Sequence, residues 1–115
     1  MIELKVEHFC CSIVVSPRLW NRNKNKFYTC SMIFDTGATM TALDTKIVNS
    51  LGYSLKNAKE VSVNGIGQSN ILAKRLTLID FELGGVELGP VLVDVLDFPE
   101  DSSISAVLGM NVVKH

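Results

Sequence analysis

A chain of 115 residues is long enough to bury one hydrophobic core and too short for two ordinary domains. Hydrophobic residues make up 47% of it and charged residues 20%, a balance that excludes the composition typical of disordered proteins. The net charge of −1 gives no electrostatic basis for binding nucleic acid, and no apolar run has the length of a membrane span.

The metal-ligating and thiol residues of the chain are few and scattered. Cys10 and Cys11 are adjacent and Cys30 stands apart, which fits neither a disulfide framework nor a zinc site. His8 and His115 lie near opposite ends of the sequence, so no metal or other cofactor is expected. Charged residues interrupt the apolar N-terminus, which is therefore not a signal peptide. We predict a soluble, cytoplasmic protein.

The first third of the chain has the patterns of β-strands. Residues 2–7 alternate between apolar and charged side chains, which predicts a strand with one solvated face. Residues 9–15 continue as an apolar strand, and residues 21–26 form a polar, asparagine-rich turn. Residues 27–34 are then predicted to form one strand that runs directly into an acidic residue.

That acidic residue, Asp35, stands where the strand ends, and Gly37 allows the tight turn that follows. A carboxylate at the buried end of a strand is unfavourable unless it is hydrogen-bonded or has a chemical role. On these residues alone, a turn that caps a strand and a catalytic loop are both open.

Local signals after this turn predict a short helix. Asp44 has the side chain of an N-cap, residues 45–51 place apolar side chains at helical spacing, and Gly52 can end the helix.

Two hairpins are predicted in the second half of the chain. Residues 61–63 alternate and lead into an Asn-Gly turn at residues 64–65. Strand-like residues continue over 71–83, with Lys74 and Arg75 expected at an exposed position. A two-residue Gly-Gly turn at positions 84 and 85 should then join strands over 76–83 and 86–96.

Residues 35–38 (Asp-Thr-Gly-Ala), with their apolar lead-in, resemble the active-site loop of aspartic proteases. At this length the chain is similar to the single-domain, retropepsin-like branch of that family. Two further features stand in the family's order, namely a glycine-rich hairpin tip at 64–68 and a late Ala-Val-Leu-Gly-Met-Asn segment at 106–111. The resemblance covers roughly residues 27 to 113.

The resemblance implies an all-β fold, a small closed β-barrel of the acid-protease type with one or two short helices, formed as one domain by residues 1–115. It implies an aspartic endopeptidase, in which one carboxylate acts as base on a water molecule and a second acts as acid. Only Asp35 lies in the motif, and the sequence holds no second Asp-Thr-Gly or Asp-Ser-Gly. A homodimer that pairs Asp35 with its symmetry mate is therefore expected.

The resemblance also assigns roles to individual residues. The catalytic residues would be Asp35, Thr36 and Gly37, with the Thr36 hydroxyls locking the two loops together across the dimer. The substrate-binding residues would be Ala38, Gly65, Ile66, Gly67, Val107 and Leu108, of which residues 65–67 would form a mobile flap. Taken without the resemblance, the same glycines fit an ordinary hairpin, and Val107 and Leu108 fit a core.

Three departures from the family pattern shape these expectations. Thr39 and Met40, together with Met110, replace an acid–arginine ion pair that is common in viral members, which favours a cellular or bacterial relative. Gln68 stands where a flap glycine is common. The chain ends at His115, where family members continue into a strand that helps to form the dimer, so we predict a weak dimer or monomer unless the N-terminal strand replaces that contact.

Two other readings of the chain remain. One is a protease-like dimerisation or peptide-binding module without turnover, since a fold does not guarantee an activity. The other is a structural β domain in which Asp35 only caps a turn.

Overall fold

The computed structural model describes residues 7–9, 12–65 and 68–113, which form β-strands joined by short loops and two short helices. The strands in the first part are β1 (Glu7–Phe9), β2 (Ser12–Val15), β3 (Arg18–Asn21), β4 (Lys26–Thr29), β5 (Met32–Phe34) and β6 (Thr41–Asp44), followed by helix α1 (Thr45–Ser50). The second part contains β7 (Lys59–Gly65), β8 (Gln68–Leu78), β9 (Phe81–Leu83), β10 (Val86–Glu87), β11 (Val91–Leu96) and β12 (Ala106–Leu108), then helix α2 (Met110–Val113). A mostly β chain with short helices is confirmed. The predicted strand over residues 2–7 lies mainly outside the described residues.

The strands form two sheets. The larger has the order β1-β2-β5-β12-β6-β11-β8-β7 and the smaller the order β10-β9-β3-β4. Strands β5 and β12 pair in parallel, as do β6 and β11, and the other pairs are antiparallel. The predicted closed barrel is wrong for the described residues, because closure requires the two outermost strands of a sheet to pair. In the larger sheet these strands are β1 and β7, which lie at opposite edges.

Several predicted strands are divided, three of them because the chain passes from one sheet to the other within them. The strand predicted over 27–34 breaks at Cys30 and Ser31, between β4 of the smaller sheet and β5 of the larger sheet. The strands predicted over 76–83 and 86–96 break in the same way. Within these two ranges, β9 and β10 belong to the smaller sheet, whereas β11 and the end of β8 belong to the larger sheet. The strand predicted over 9–15 becomes two antiparallel strands, β1 and β2.

Elements defined by local signals are confirmed. The Asp44 carboxylate accepts the backbone N–H of Lys46 at 2.9 Å, as an N-cap should, and α1 begins at the next residue. Gly84 and Gly85 both have positive φ, at 59° and 82°, which is the conformation required by a two-residue hairpin turn. That turn pairs Val86 with Leu83.

The larger sheet buries apolar side chains on both of its faces. On one face Leu43, Val93 and Val95 belong to the main core, which includes residues of both sheets and both helices. Each fully buried side chain of this size contributes roughly 1.5–3 kcal/mol. Successive strand residues point to opposite faces, so Ala42, Leu96 and neighbouring residues build a second, smaller cluster on the other face. This second face carries the candidate site.

Tyr53 joins the segment after α1 to β3 and to the turn between β8 and β9. Its hydroxyl donates to the carbonyl oxygen of Trp20 at 3.1 Å and accepts the N–H of Ile79 at 3.0 Å. Burial raises the pKa of this tyrosine above its ordinary value. Neither helix of the described chain approaches the length and apolar character needed to cross a membrane.

Candidate active site

Asp35 follows the last residue of β5 and is exposed to solvent. Its backbone N–H donates to the carbonyl oxygen of Leu108, at the end of the parallel neighbour β12, at 3.1 Å. Its side-chain Oδ1 accepts the N–H of Gly37 at 2.9 Å, and its carbonyl oxygen accepts the N–H of Ala38 at 3.1 Å. The carboxylate is therefore held in one orientation by the turn that follows it.

The rest of the loop is fixed by the first two residues of α2. Met110 donates its N–H to the carbonyl oxygen of Ala38 at 2.8 Å, and Asn111 donates its N–H to that of Thr39 at 3.0 Å. The loop that carries Asp35 is thus attached at its start to β12 and at its end to α2. The late segment at 106–111, which the resemblance singled out, supplies these attachments through Leu108, Met110 and Asn111.

Two polar side chains that the sequence reasoning missed support this junction. The Asn111 side-chain oxygen accepts the N–H of Thr41 at 2.7 Å and its hydroxyl at 3.0 Å. The Asn111 amide nitrogen donates to the carbonyl oxygen of Leu92 at 2.8 Å, and the Thr41 hydroxyl accepts the N–H of Gly109 at 3.1 Å. Thr41 is fully buried, so these bonds satisfy groups that water cannot reach.

A cavity of about 540 Å³ opens beside Asp35 on the second face of the larger sheet. Of the residues predicted to form the site, it is lined by Asp35, Gly37, Ala38 and Val107. Leu108, predicted with Val107 to line the pocket, instead lies fully buried in the main core. The reason is strand alternation, since adjacent residues of β12 point to opposite faces.

The remaining predicted site residues are placed as follows. Thr36 is exposed in the turn after Asp35. Gly65 ends β7 and lies opposite Gln68 of β8 in an antiparallel pair. Ile66 and Gly67, and with them the tip of the predicted flap, lie outside the described residues.

The cavity also contains an ion pair that the sequence did not indicate. Arg75 of β8 and Asp94 of β11 line it, and the two side chains are bonded through Nε and Oδ1 at 2.7 Å. The hydrogen bond with Asp94 raises the pKa of Arg75. Arg75 was expected to be exposed; it is partly buried, because its side chain lies beside Asp94 on the cavity face of the sheet.

The described residues contain no cluster of three or more histidine, cysteine or acidic side chains suited to a metal ion. The chemistry available at the cavity is that of an exposed, oriented carboxylate. A single carboxylate can accept a proton, but acid and base action in one step requires a second titratable group.

Comparison with known proteins shows similarity to a protein family and to solved structures. A family model described as aspartyl protease matches residues 23–112. A solved retropepsin-like aspartic protease from Rickettsia conorii is similar with a TM-score of 0.69 and 20% sequence identity, over 100% of this chain and 86% of that one. At this identity the match shows a shared fold. No curated protein sequence matches the chain.

Proposed function

The chain belongs to the aspartyl protease family, and from this premise we propose that it is an endopeptidase that hydrolyses peptide bonds as a homodimer. Each subunit supplies one Asp35 carboxylate, and a water molecule between the two carboxylates attacks the scissile carbonyl carbon. One carboxylate takes the proton of the water while the other, protonated, donates to the carbonyl oxygen.

One observation carries this proposal: the Asp35 carboxylate is exposed, oriented by the Gly37 N–H and open to a large cavity. A carboxylate that only capped the turn would make the same bond to Gly37 without any need for a cavity beside it. Exposure at the end of a strand also leaves Asp35 accessible to a second copy of the loop.

The other residues have positioning roles in this proposal. The exposed Thr36 hydroxyl is available to bond across the two-fold axis, and Gly37 admits the substrate backbone close to the carboxylates. The hairpin of β7 and β8, with Gly65, Ile66 and Gly67 near its tip, covers an extended peptide and pairs with its backbone. Ala38 and Val107 contact apolar substrate side chains.

Replacement of Asp35 tests the proposal. We expect Asp35→Asn to reduce peptide cleavage at least about a hundredfold, because the amide can neither accept the proton nor share one. The melting temperature should stay close to that of the parent, since the amide oxygen can still accept the Gly37 N–H. The assay is a peptide library read by mass spectrometry, with and without a pepstatin-type inhibitor.

Asp101→Asn is a matched control, because Asp101 is an exposed acid in the loop before β12 and does not line the cavity. It should leave cleavage unchanged. Near-normal turnover by Asp35→Asn would rule out the proposed role. Peptide binding without any cleavage by the parent chain would instead support the silent peptide-binding module.

A further inference from the structure

Arg75 and Asp94 face each other in register across β8 and β11, next to Ala42 of β6 on the same face of the sheet. Ala42 is in turn in register with Val107 of β12. All four side chains line the cavity that contains Asp35. An otherwise apolar row of this wall therefore leads to an ion pair, and beyond it the exposed Lys59 of β7 lies in register with Arg75.

The ion pair has two hydrogen bonds, and one of its two side chains is partly exposed to solvent. Arg75 donates from Nε to Oδ1 of Asp94 at 2.7 Å and from Nη2 to Oδ2 at 3.2 Å. The side chain of Asp94 is 5% exposed, whereas that of Arg75 is 29% exposed. A bidentate bond of this kind fixes the guanidinium plane, so Asp94 orients Arg75 at the cavity wall.

The ion pair leaves part of the hydrogen-bonding capacity of the Arg75 guanidinium unused. Of its five N–H groups, the two bonds to Asp94 use two, and the described part of the chain provides no further hydrogen-bond acceptor for the others. A polar group at the wall of an apolar site favours a ligand that completes its hydrogen bonds, because an apolar ligand would desolvate the donors without replacing water.

We propose that Arg75, oriented by Asp94, is a specificity-determining residue that selects a substrate side chain ending in a carboxamide, glutamine or asparagine, at one subsite beside the scissile bond. The carboxamide oxygen accepts from Arg75, and its NH₂ group donates to Asp94. The inference rests on the proposed function, because it takes the cavity with Asp35 to be the substrate cleft.

Charge decides between a carboxamide and a carboxylate. The charged residues that line the cavity are Asp35, Asp94 and Arg75, two acids and one base. In the parent chain a substrate carboxylate would therefore meet an excess of negative charge. In a chain with Asp35→Asn, where Arg75 and Asp94 balance, it would still be repelled by Asp94 and could not donate a hydrogen bond to it. A carboxamide is neutral and carries both a donor and an acceptor.

The test measures binding rather than turnover. The Asp35→Asn chain is mixed with capped, extended peptides in which one position at a time carries Gln, Glu or Leu, and dissociation constants are measured by fluorescence anisotropy. At one position we expect Gln to bind about tenfold more tightly than Leu, the ratio that corresponds to one net hydrogen bond to a charged group. Glu should bind more weakly than Gln.

Altering the ion pair should change the order of preference. Asp94→Asn, in the same background, leaves Arg75 without its counter-charge, so Glu should overtake Gln at that position. The double variant Arg75→Met with Asp94→Leu replaces the pair by apolar side chains of similar size, a change that cores often tolerate, and Leu should then be preferred.

Arg18→Met is the matched control, because Arg18 forms an ion pair with Glu82 in the smaller sheet, away from the cavity. It should leave the order of preference unchanged. Equal binding of Gln and Leu at every position, or the same order in the Asp94→Asn chain, would overturn the inference. A Gln preference without cleavage by the parent chain would refute the proposed function and support the role of Arg75 in binding. Cleavage without any Gln preference would support the proposed function and refute that role.

Discussion

At the scale of single residues, the site depends on bonds between groups far apart in sequence. The Asp35 N–H is bonded to Leu108, and Thr41 is bonded to Asn111, seventy positions away. Leu108 and Thr41 are fully buried, so the loss of either bond would leave a buried acceptor or donor unsatisfied.

The same dependence limits what the sequence could predict. Asp35 and Gly37 could be identified because their motif is contiguous. Asn111 and Arg75 could not, because nothing in the residues around either one indicates the strand it will face.

Cys30 gives a prediction about pH. Burial raises the pKa of its thiol from 9.0 to about 11, so as pH rises the unfolded chain loses this proton before the folded chain does. The contribution of Cys30 to the free energy of unfolding should be fully present below about pH 9 and decline as pH rises towards 11, by roughly 2–3 kcal/mol in total. Urea unfolding at a series of pH values measures this decline.

Cys30→Ala provides the comparison, since Cys10 and Cys11 are common to both chains and cancel. The difference in unfolding free energy between parent and variant should shrink across this range of pH. Parallel curves for the two chains would show that the thiol does not ionise differently in the folded state.

At the scale of elements, the junction between β12 and α2 leaves no room for a side chain at Gly109. A Cβ atom added at Gly109 would lie 2.5 Å from the carbonyl oxygen of Met40 and 2.7 Å from the nitrogen of Thr41. Both are backbone atoms, which cannot rotate away. The close approach of these two segments is possible only because residue 109 has no side chain.

Gly109→Ala should therefore lower the free energy of unfolding by roughly 1–3 kcal/mol. It should also reduce cleavage by the molecules that remain folded, because the Asp35 loop is hydrogen-bonded to Leu108 and Met110 on either side of Gly109. The measurements are urea unfolding and the rate of peptide cleavage per folded chain. Gly85→Ala is the control: it has no atom within 4 Å of the added Cβ but has φ of +82°, so it should cost stability without affecting cleavage. Normal cleavage by folded Gly109→Ala would contradict the argument.

Elements differ in how far the sequence predicts them. Helix α1 and the hairpin at Gly84 and Gly85 were predictable because a cap and a two-residue turn are determined by neighbouring residues. The division of residues 27–34 into β4 and β5 was not, because an apolar run has the same pattern whether it stays in one sheet or crosses to another.

At the scale of the whole molecule, the proposed active site requires two chains. Specific activity should therefore fall as the protein is diluted through the dissociation range of the dimer, because each dissociated chain holds half of a site. Cleavage rates measured over a wide range of protein concentration, alongside sedimentation velocity, test this.

Two copies of the chain joined by a flexible linker serve as the control, since their local concentration does not change on dilution. Their specific activity should stay constant. A rate strictly proportional to the concentration of the unlinked chain, at concentrations where sedimentation finds monomers, would show that one chain is sufficient.

The architecture as a whole was only partly predictable. The family resemblance indicated a β fold with short helices, and the structure has one. Closure of a sheet depends on the pairing of its outermost strands, and neither the pattern of β1 nor that of β7 specifies a partner beyond its own hairpin. This is why the barrel expectation failed although most of the segments predicted as strands do contain strands.

The parallel pairing of β5 with β12 has a consequence for the newly made chain. During synthesis, Asp35 leaves the ribosome long before Leu108, the residue that receives its backbone N–H. Strands that must wait for a distant partner form slowly, so a nascent chain carries its acidic loop without the support that orients it. Under the function proposed above, peptide cleavage would therefore begin only after β12 has been synthesised and has paired with β5.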